Sequence, residues 1–547
     1  MTTRLALTLA GGVSLGAYQA GAVYEVLWAL SHRRDAAESV IIDVLTGASA
    51  GSMTAAVTAR VLYDDAARVD ELHRAWVRDI SFMRLIEGEP EASLLSSRSI
   101  WSLAREVIER APAVPSPHPA SPPLLRMAFA LSNLNGVRFQ LGYANAPDGF
   151  DTTIFSDWIV FQARPGARSG GAPDWQAVAR AAVASGAFPF AFAPVRLERR
   201  LADYRRSEIY RDAGTRTFTY VDGGMFNNEP VGLAREMVGQ LEVEDPAIIG
   251  DRRYYVLIDP YVAPAAPEVD LPDPLGARLV LDRLVSAVLG ESSKRDWIRA
   301  LRTNSRLEWQ DGLIAALAEV VAAIPSSDGA AIAGRLGVVA AKIGAVKGEY
   351  DHAGVLAQPE AARRHLEANI GRLGPMLSAG STALDRIRDD PAKTDLFLTL
   401  AYVLENVAGL RKKVEMKLHL IAPAHGSLAG DFLGNFGGFF DERWREHDWR
   451  RGRADARVVI EQLTKECPSL AYVPAAEAAY VPAGDFSHVG PGDIPADAPP
   501  ILRRRLADQL YRLILPGRAW FLTRWLAWLG SRVAAGFLVG SLRKPAA

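Results

Sequence analysis

LALTLAGGVSLGAYQAGAVYEVLWAL at residues 5–30 and VIIDVLTGASAGSMTAAVTARVL at residues 40–62 follow one plan twice. Each begins with a mostly apolar run of six or seven residues, Leu5–Ala10 and Val40–Thr46. Each then makes a glycine-rich turn and enters a stretch of helix formers, Ala17–Leu30 and Ser52–Leu62. Short continuous apolar runs bounded by glycines predict buried strands, and the longer alanine- and leucine-rich stretches predict helices. Strand, turn, helix, repeated, predicts an α/β sheet with parallel strands and right-handed crossovers.

Outward from that stretch the order becomes less regular. Residues 112–123 (PAVPSPHPASPP) and 164–174 (RPGARSGGAPD) carry too much proline and glycine for regular structure and read as loops. The charge-rich residues 196–216 read as an exposed excursion. Phe218–Val221 and Tyr254–Ile258 read as further strands. From 272 to 414 helical spacing dominates, at 312–323, 331–347, 359–371 and 394–411, so a helical insertion is expected there. A strand returns at 416–422, a charged helix follows near 440–466, and 473–500 reads as loop. The expected organisation is a catalytic core at 1–271, a helical insertion at 272–414, a strand and helix completing the core at 415–470, and a loop with an apolar C-terminal segment at 471–547.

Three motifs carry chemistry. Gly47-Ala48-Ser49-Ala50-Gly51 is a G-x-S-x-G pattern between a predicted strand and a predicted helix. A serine on so sharp a turn is held in a strained backbone conformation with its hydroxyl outward, and side chains larger than hydrogen at Gly47 and Gly51 would collide. Gly11-Gly12-Val13-Ser14 lies between a strand and a helix, where backbone amides can converge on an anion. The same turn resembles half of a phosphate-binding loop, but Ala17-Tyr18 stands where the lysine and hydroxyl residue belong, so an oxyanion hole is the better reading. Asp222-Gly223-Gly224 ends a predicted strand, and a carboxylate there can take or orient a serine proton. Histidine is the usual base for serine; of the nine present, His419 and His425 in or beside a predicted strand are the best triad alternatives.

Taken together, these residues resemble the patatin-like phospholipases and acyl hydrolases, particularly their bacterial members. LALTLAGGVSLGAYQAG at 5–21, LTGASAGSMTAA at 45–56 and VDGGMFNNEPV at 221–231 stand in the family's order, and ASGAFPFAFAPV at 184–195 is similar to a further family segment. The resemblance covers about residues 4–262, the strand at 416–423 and HDWRRGRADA at 447–456. It implies a three-layer fold with a central, mostly parallel sheet. It implies acyl-ester hydrolysis through an acyl-serine, without histidine, metal or cofactor, with Ser49 as nucleophile and Asp222 as base. It assigns the oxyanion hole to the amides of Gly11, Gly12, Val13 and Ser14. The commoner family loop has glycine at position 13 and a basic residue at position 15; Val13 and Leu15 stand here, stiffening the loop and removing a cation. A soluble esterase, an acyltransferase with the same dyad, or a non-catalytic lipid-binding protein are the rival readings.

Composition narrows the partners. Lys plus Arg is 62 against 63 for Asp plus Glu, a net charge of -1, which gives no support to nucleic-acid binding. The single cysteine, Cys467, excludes an intrachain disulfide, fits a reducing compartment and reads as a half-buried structural thiol. No apolar leader with a cleavage site precedes the first strand, so a cytoplasmic location is expected. Residues 503–544 interleave arginines with Trp520, Phe521, Trp525 and Trp528, and Arg524 and Arg532 interrupt the apolar run. That pattern predicts peripheral contact with the inner membrane surface, or a helical hairpin packed on protein. Oligomeric state is not encoded in any of these patterns.

Overall fold

The computed structural model describes residues 2–514 apart from 36, 88–92, 113, 144–145, 166–169, 205–213, 262–279, 281–294, 348–372, 374–375, 379, 409–414, 425, 476–485 and 487–488; beyond 514 it describes Ser531. The chain divides into two compact units, Met1–Trp297 with Lys417–Ala547, and Ile298–Met416.

The first unit is built on an eight-stranded sheet: β1 (Thr3–Leu9), β2 (Val40–Gly47), β3 (Leu125–Tyr143), β4 (Ala146–Ala163), β5 (Val195–Arg200), β6 (Thr215–Asp222), β7 (Arg252–Ile258) and β8 (Leu418–Ile421). The spatial order is β5-β6-β3-β2-β1-β7-β8, with β4 paired to β3. The ladders among β3, β2, β1, β7 and β8 are parallel, and those of β6 to β3, β5 to β6 and β4 to β3 are antiparallel. Helices α1 (Gly16–Ser31), α2 (Ala50–Tyr63), α3 (Trp175–Ser185) and α4 (Val231–Glu244) flank it, giving a three-layer α/β fold. All eight residues of β2 are buried, as expected for a central parallel strand covered on both faces.

Segment 196–216 is corrected by the structure. Its first residues form β5, whose burial alternates strictly, with Val195, Leu197 and Arg199 inward. Arg199 occupies a core position because Asp157 and the hydroxyl of Tyr220 receive its guanidinium at 3.5 and 3.2 Å. Buried charge recurs in β2, where Asp43 accepts from Arg4 (3.0 Å) and from both terminal nitrogens of Arg253 (2.7 and 2.8 Å). Cys467 is fully buried rather than half-buried, with Arg252 Nη1 donating to its sulfur at 3.1 Å.

The second unit holds α5 (Arg295–Ala323, entered from the first unit), α6 (Ser326–Lys347) and α7 (Pro391–Val407), with a small core of its own that includes Ile314, Ala318, Val321, Leu396 and Phe397. The helix expected at 359–371 lies outside the described residues.

After β8 the first unit resumes with α8 (Glu442–Glu466) and α9 (Ala498–Ile514). Helix α8 packs along α1 so closely that each presents a glycine to the other's backbone: a Cβ on Gly21 would strike the Trp449 carbonyl, and one on Gly452 the Tyr18 carbonyl. The buried Glu25 of α1 accepts from Arg453 (3.0 Å), Arg457 (2.6 Å) and the Tyr472 hydroxyl (3.2 Å). Beyond α9 the apolar C-terminal segment lies outside the described residues. Among the described residues no helix is long and apolar enough to cross a membrane.

Candidate active site

Ser49 stands between β2 and α2 with φ 52° and ψ −126°, a backbone conformation that a non-glycine residue adopts only under constraint. The constraint is visible on both sides. A Cβ on Gly51 would strike the Leu9 carbonyl of the neighbouring strand, and one on Gly47 would lie 2.6 Å from the backbone of Gly51. The Ser49 N–H donates to Ser185 Oγ at 3.0 Å. Ser185 Oγ donates to the Ala130 carbonyl (2.7 Å) and lies 2.8 Å from Ser52 Oγ, so the turn is tied to α3 and β3.

Asp222 ends β6 and is 3% exposed. Its Oδ2 accepts from Ser49 Oγ at 2.5 Å, across 173 residues of sequence. Its Oδ1 accepts from the Gly224 N–H at 2.7 Å. Its backbone is fixed as well, the N–H donating to Ala187 O (2.9 Å) and the carbonyl accepting from Ser132 Oγ (2.7 Å). Burial pushes its carboxyl up to about 7, against the lowering effect of the Ser49 and Gly224 hydrogen bonds. A group poised near neutrality suits proton transfer in both directions.

The glycine loop lies beside this pair: a Cβ on Gly11 would come 3.3 Å from Ser49 Cβ. The four amides of the loop are not equivalent. Gly11 N–H donates to Asn228 O, and Ser14 N–H donates to Asn435 O, each at 3.0 Å. That removes both from the set of donors expected to face an oxyanion, because each is already spent on a carbonyl. The amides of Gly12 and Val13 have no acceptor among the described residues, and neither has that of Ala50, which follows the serine. Val13 has φ 50°, a left-handed conformation in a β-branched residue where the commoner family loop has glycine.

No described histidine reaches Ser49 or Asp222. His73 meets Glu446 at 2.6 Å, His118 meets Ser31 Oγ at 2.7 Å, His447 meets Ser427 O at 2.9 Å and His32 meets Trp28 O at 2.9 Å. His419 packs its ring on Tyr254, and His425 lies outside the described residues. Ser185 and Ser132 are the site residues that the sequence reading missed. Ser185 was within reach, since it sits in the 184–195 segment; nothing local marks Ser132.

Residues 7–235, which hold all of these motifs, match the family model described as patatin-like phospholipase. Through them residues 7–235 are similar to the patatin-like phospholipases. The patatin-like segment ends within α4, and residues 420–490 match a second model, described as a protein of unknown function (DUF3376). Among curated proteins, this chain is similar to the uncharacterised protein y4iI of Sinorhizobium fredii (strain NBRC 101917 / NGR234), at 24% identity over 381 residues. The match covers 52% of this chain and 53% of the relative, so the chain spans about half the length of the curated relative it matches.

Proposed function

We propose that the protein is a serine acyl hydrolase that cleaves carboxylic esters of lipids with a Ser49–Asp222 dyad. One observation carries the reading: a serine hydroxyl on a strained strand-to-helix turn, 2.5 Å from a buried carboxylate and from no described histidine. The patatin-like phospholipase match over residues 7–235 supports the lipid ester as substrate class. Phe190 and Phe226, which are 81% and 49% exposed, adjoin the segments that fix Asp222 and fit a mouth facing apolar substrate.

In the proposed reaction Ser49 Oγ attacks the acyl carbonyl and its proton passes to Asp222 Oδ2. The carbonyl oxygen takes up negative charge facing the Gly12 and Val13 amides, with the Ala50 amide and the N-terminus of α2 adding positive potential. The ester C–O bond then breaks, the leaving alkoxide takes the proton back from Asp222, and an acyl-Ser49 ester remains. Water attacks that ester, gives its proton to Asp222, and the acid is released as the proton returns to Ser49. The same chemistry with an alcohol in place of water would make an acyltransferase; acceptor competition separates the two.

The test is release of fatty acid from phospholipid vesicles and of p-nitrophenol from p-nitrophenyl butyrate, by wild type and Ser49→Ala. Turnover confined to wild type supports the reading. Equal release by both, or none by the folded wild type, removes it.

A further inference from the structure

We propose that residues 428–440, with Arg445 and Asp448 behind them, form a clamp that fixes the Gly12 and Val13 amides through Ser14. The inference rests on the acyl-hydrolase reading and gives a role to part of the 420–490 segment, whose matched family has none assigned.

Ser14 is fully buried and tied to the clamp three times. Its N–H donates to Asn435 O at 3.0 Å, its Oγ donates to the same carbonyl, and its Oγ accepts from the Gly438 N–H at 3.1 Å. Gly11, on the other side, is held by Asn228 O. Gly12 and Val13 are therefore suspended between two fixed ends. A left-handed valine costs about 1–2 kcal/mol and persists only where its surroundings over-determine it. The bonds to Ser14 supply that determination.

The clamp is rigid for reasons of its own. Leu433, Gly434 and Asn435 all have positive φ, at 54°, 62° and 69°. Two buried polar side chains on successive turns of α8 hold its ends. Asp448, fully buried, accepts from the Ala429 and Gly430 amides at 2.7 and 3.1 Å. Arg445, 2% exposed, donates to Gly438 O (2.8 Å), Phe439 O (3.2 Å) and, from Nε, to Val77 O (2.8 Å). Burial raises the Asp448 carboxyl to about 8 and lowers the Arg445 guanidinium to about 10, as expected of ionisable groups met mainly by backbone dipoles. Such groups are poor sources of stability but set geometry in two directions at once. The clamp also touches the carboxylate side: the Phe436 ring meets Phe188 edge to face at 5.6 Å, beside Ala187, whose carbonyl holds the Asp222 N–H.

Ser14 is thus a positioning residue, and Ser14→Ala is its test, because it removes both Oγ bonds and leaves the backbone bond to Asn435. With p-nitrophenyl butyrate, kcat is expected to fall about 10- to 100-fold. KM should stay within about twofold, since the amides act on the transition state, and the pH midpoint set by Asp222 should not move. Asp448→Asn, which weakens the clamp from the far end, should lower kcat in the same pattern by a smaller factor. Wild-type kcat in Ser14→Ala, with wild type active, overturns the clamp and leaves the hydrolase standing. So does a loss in which kcat, pH midpoint and melting temperature move together, which marks general packing damage. An inactive, folded wild type removes the hydrolase reading and the clamp with it.

Discussion

Asp222→Asn separates the carboxylate's chemical role from its effect on stability. The wild-type carboxyl is 3% exposed and raised from its ordinary 3.8 to about 7 by burial. A folded-state value above the unfolded one means that the native state holds its proton more tightly. The associated stability is fully present below pH 3.8 and is lost progressively as pH rises through about 7. At about 1.4 kcal/mol per pH unit, the total loss is roughly 4 kcal/mol. Asparagine carries no such titration. It can still accept from the Gly224 amide and can donate to Ser49 Oγ, so the geometry is kept. The variant should therefore gain on wild type by roughly 2–3 kcal/mol between pH 5 and pH 8.5, while hydrolysing no ester. Urea unfolding of both proteins at the two pH values, followed by tryptophan fluorescence, gives this difference, because all other titrations cancel in the comparison. A wild-type-to-variant difference that does not change with pH would mean that burial does not raise the Asp222 carboxyl.

The remaining predictions concern the groups around the dyad and the α1–α8 contact. Ser185→Ala removes the acceptor of the Ser49 N–H, a buried donor whose orphaning costs about 1–3 kcal/mol; kcat should fall about tenfold or more, as read in p-nitrophenyl butyrate turnover. Val13→Gly relieves the left-handed valine and should raise stability by up to about 1 kcal/mol with activity retained, as read by thermal unfolding beside turnover. Glu25→Ala leaves Arg453 and Arg457 without their shared carboxylate and should cost about 3 kcal/mol, the lower end for a broken buried pair because both arginines keep some water; urea titration measures it.

The parts of this molecule that were legible in sequence are those whose physics is local. Two strand–glycine–helix repeats placed β1, α1, β2 and α2 almost to the residue, because each turn needs glycine where a neighbouring backbone passes. The pairing of Ser49 with Asp222 came from the resemblance, since nothing within either motif points across 173 residues. Residues 196–200 of β5 read as part of an exposed excursion because RLERR looks charged. The strand's period of two is intact only once Arg199 is credited with a buried partner, and that partner sits on another strand. The strands β3 and β4, of 19 and 18 residues, change in composition along their length as β3 leaves β2 for β6. The distinction among the four loop amides was invisible for a further reason. What occupies Ser14 comes from Asn435, 421 positions away, on a loop whose positive φ values are hinted at only by Gly434 and Asn435.

Covalent labelling reads out directly whether Ser49 is a nucleophile activated by Asp222. Incubation of wild type, Ser49→Ala and Asp222→Asn with a fluorophosphonate, followed by peptide mass mapping, should place one adduct on Ser49 in wild type. It should place none at that position in Ser49→Ala and a strongly slowed one in Asp222→Asn. A folded wild-type protein that takes no label, or takes it at another serine, would rule out Ser49 as the nucleophile.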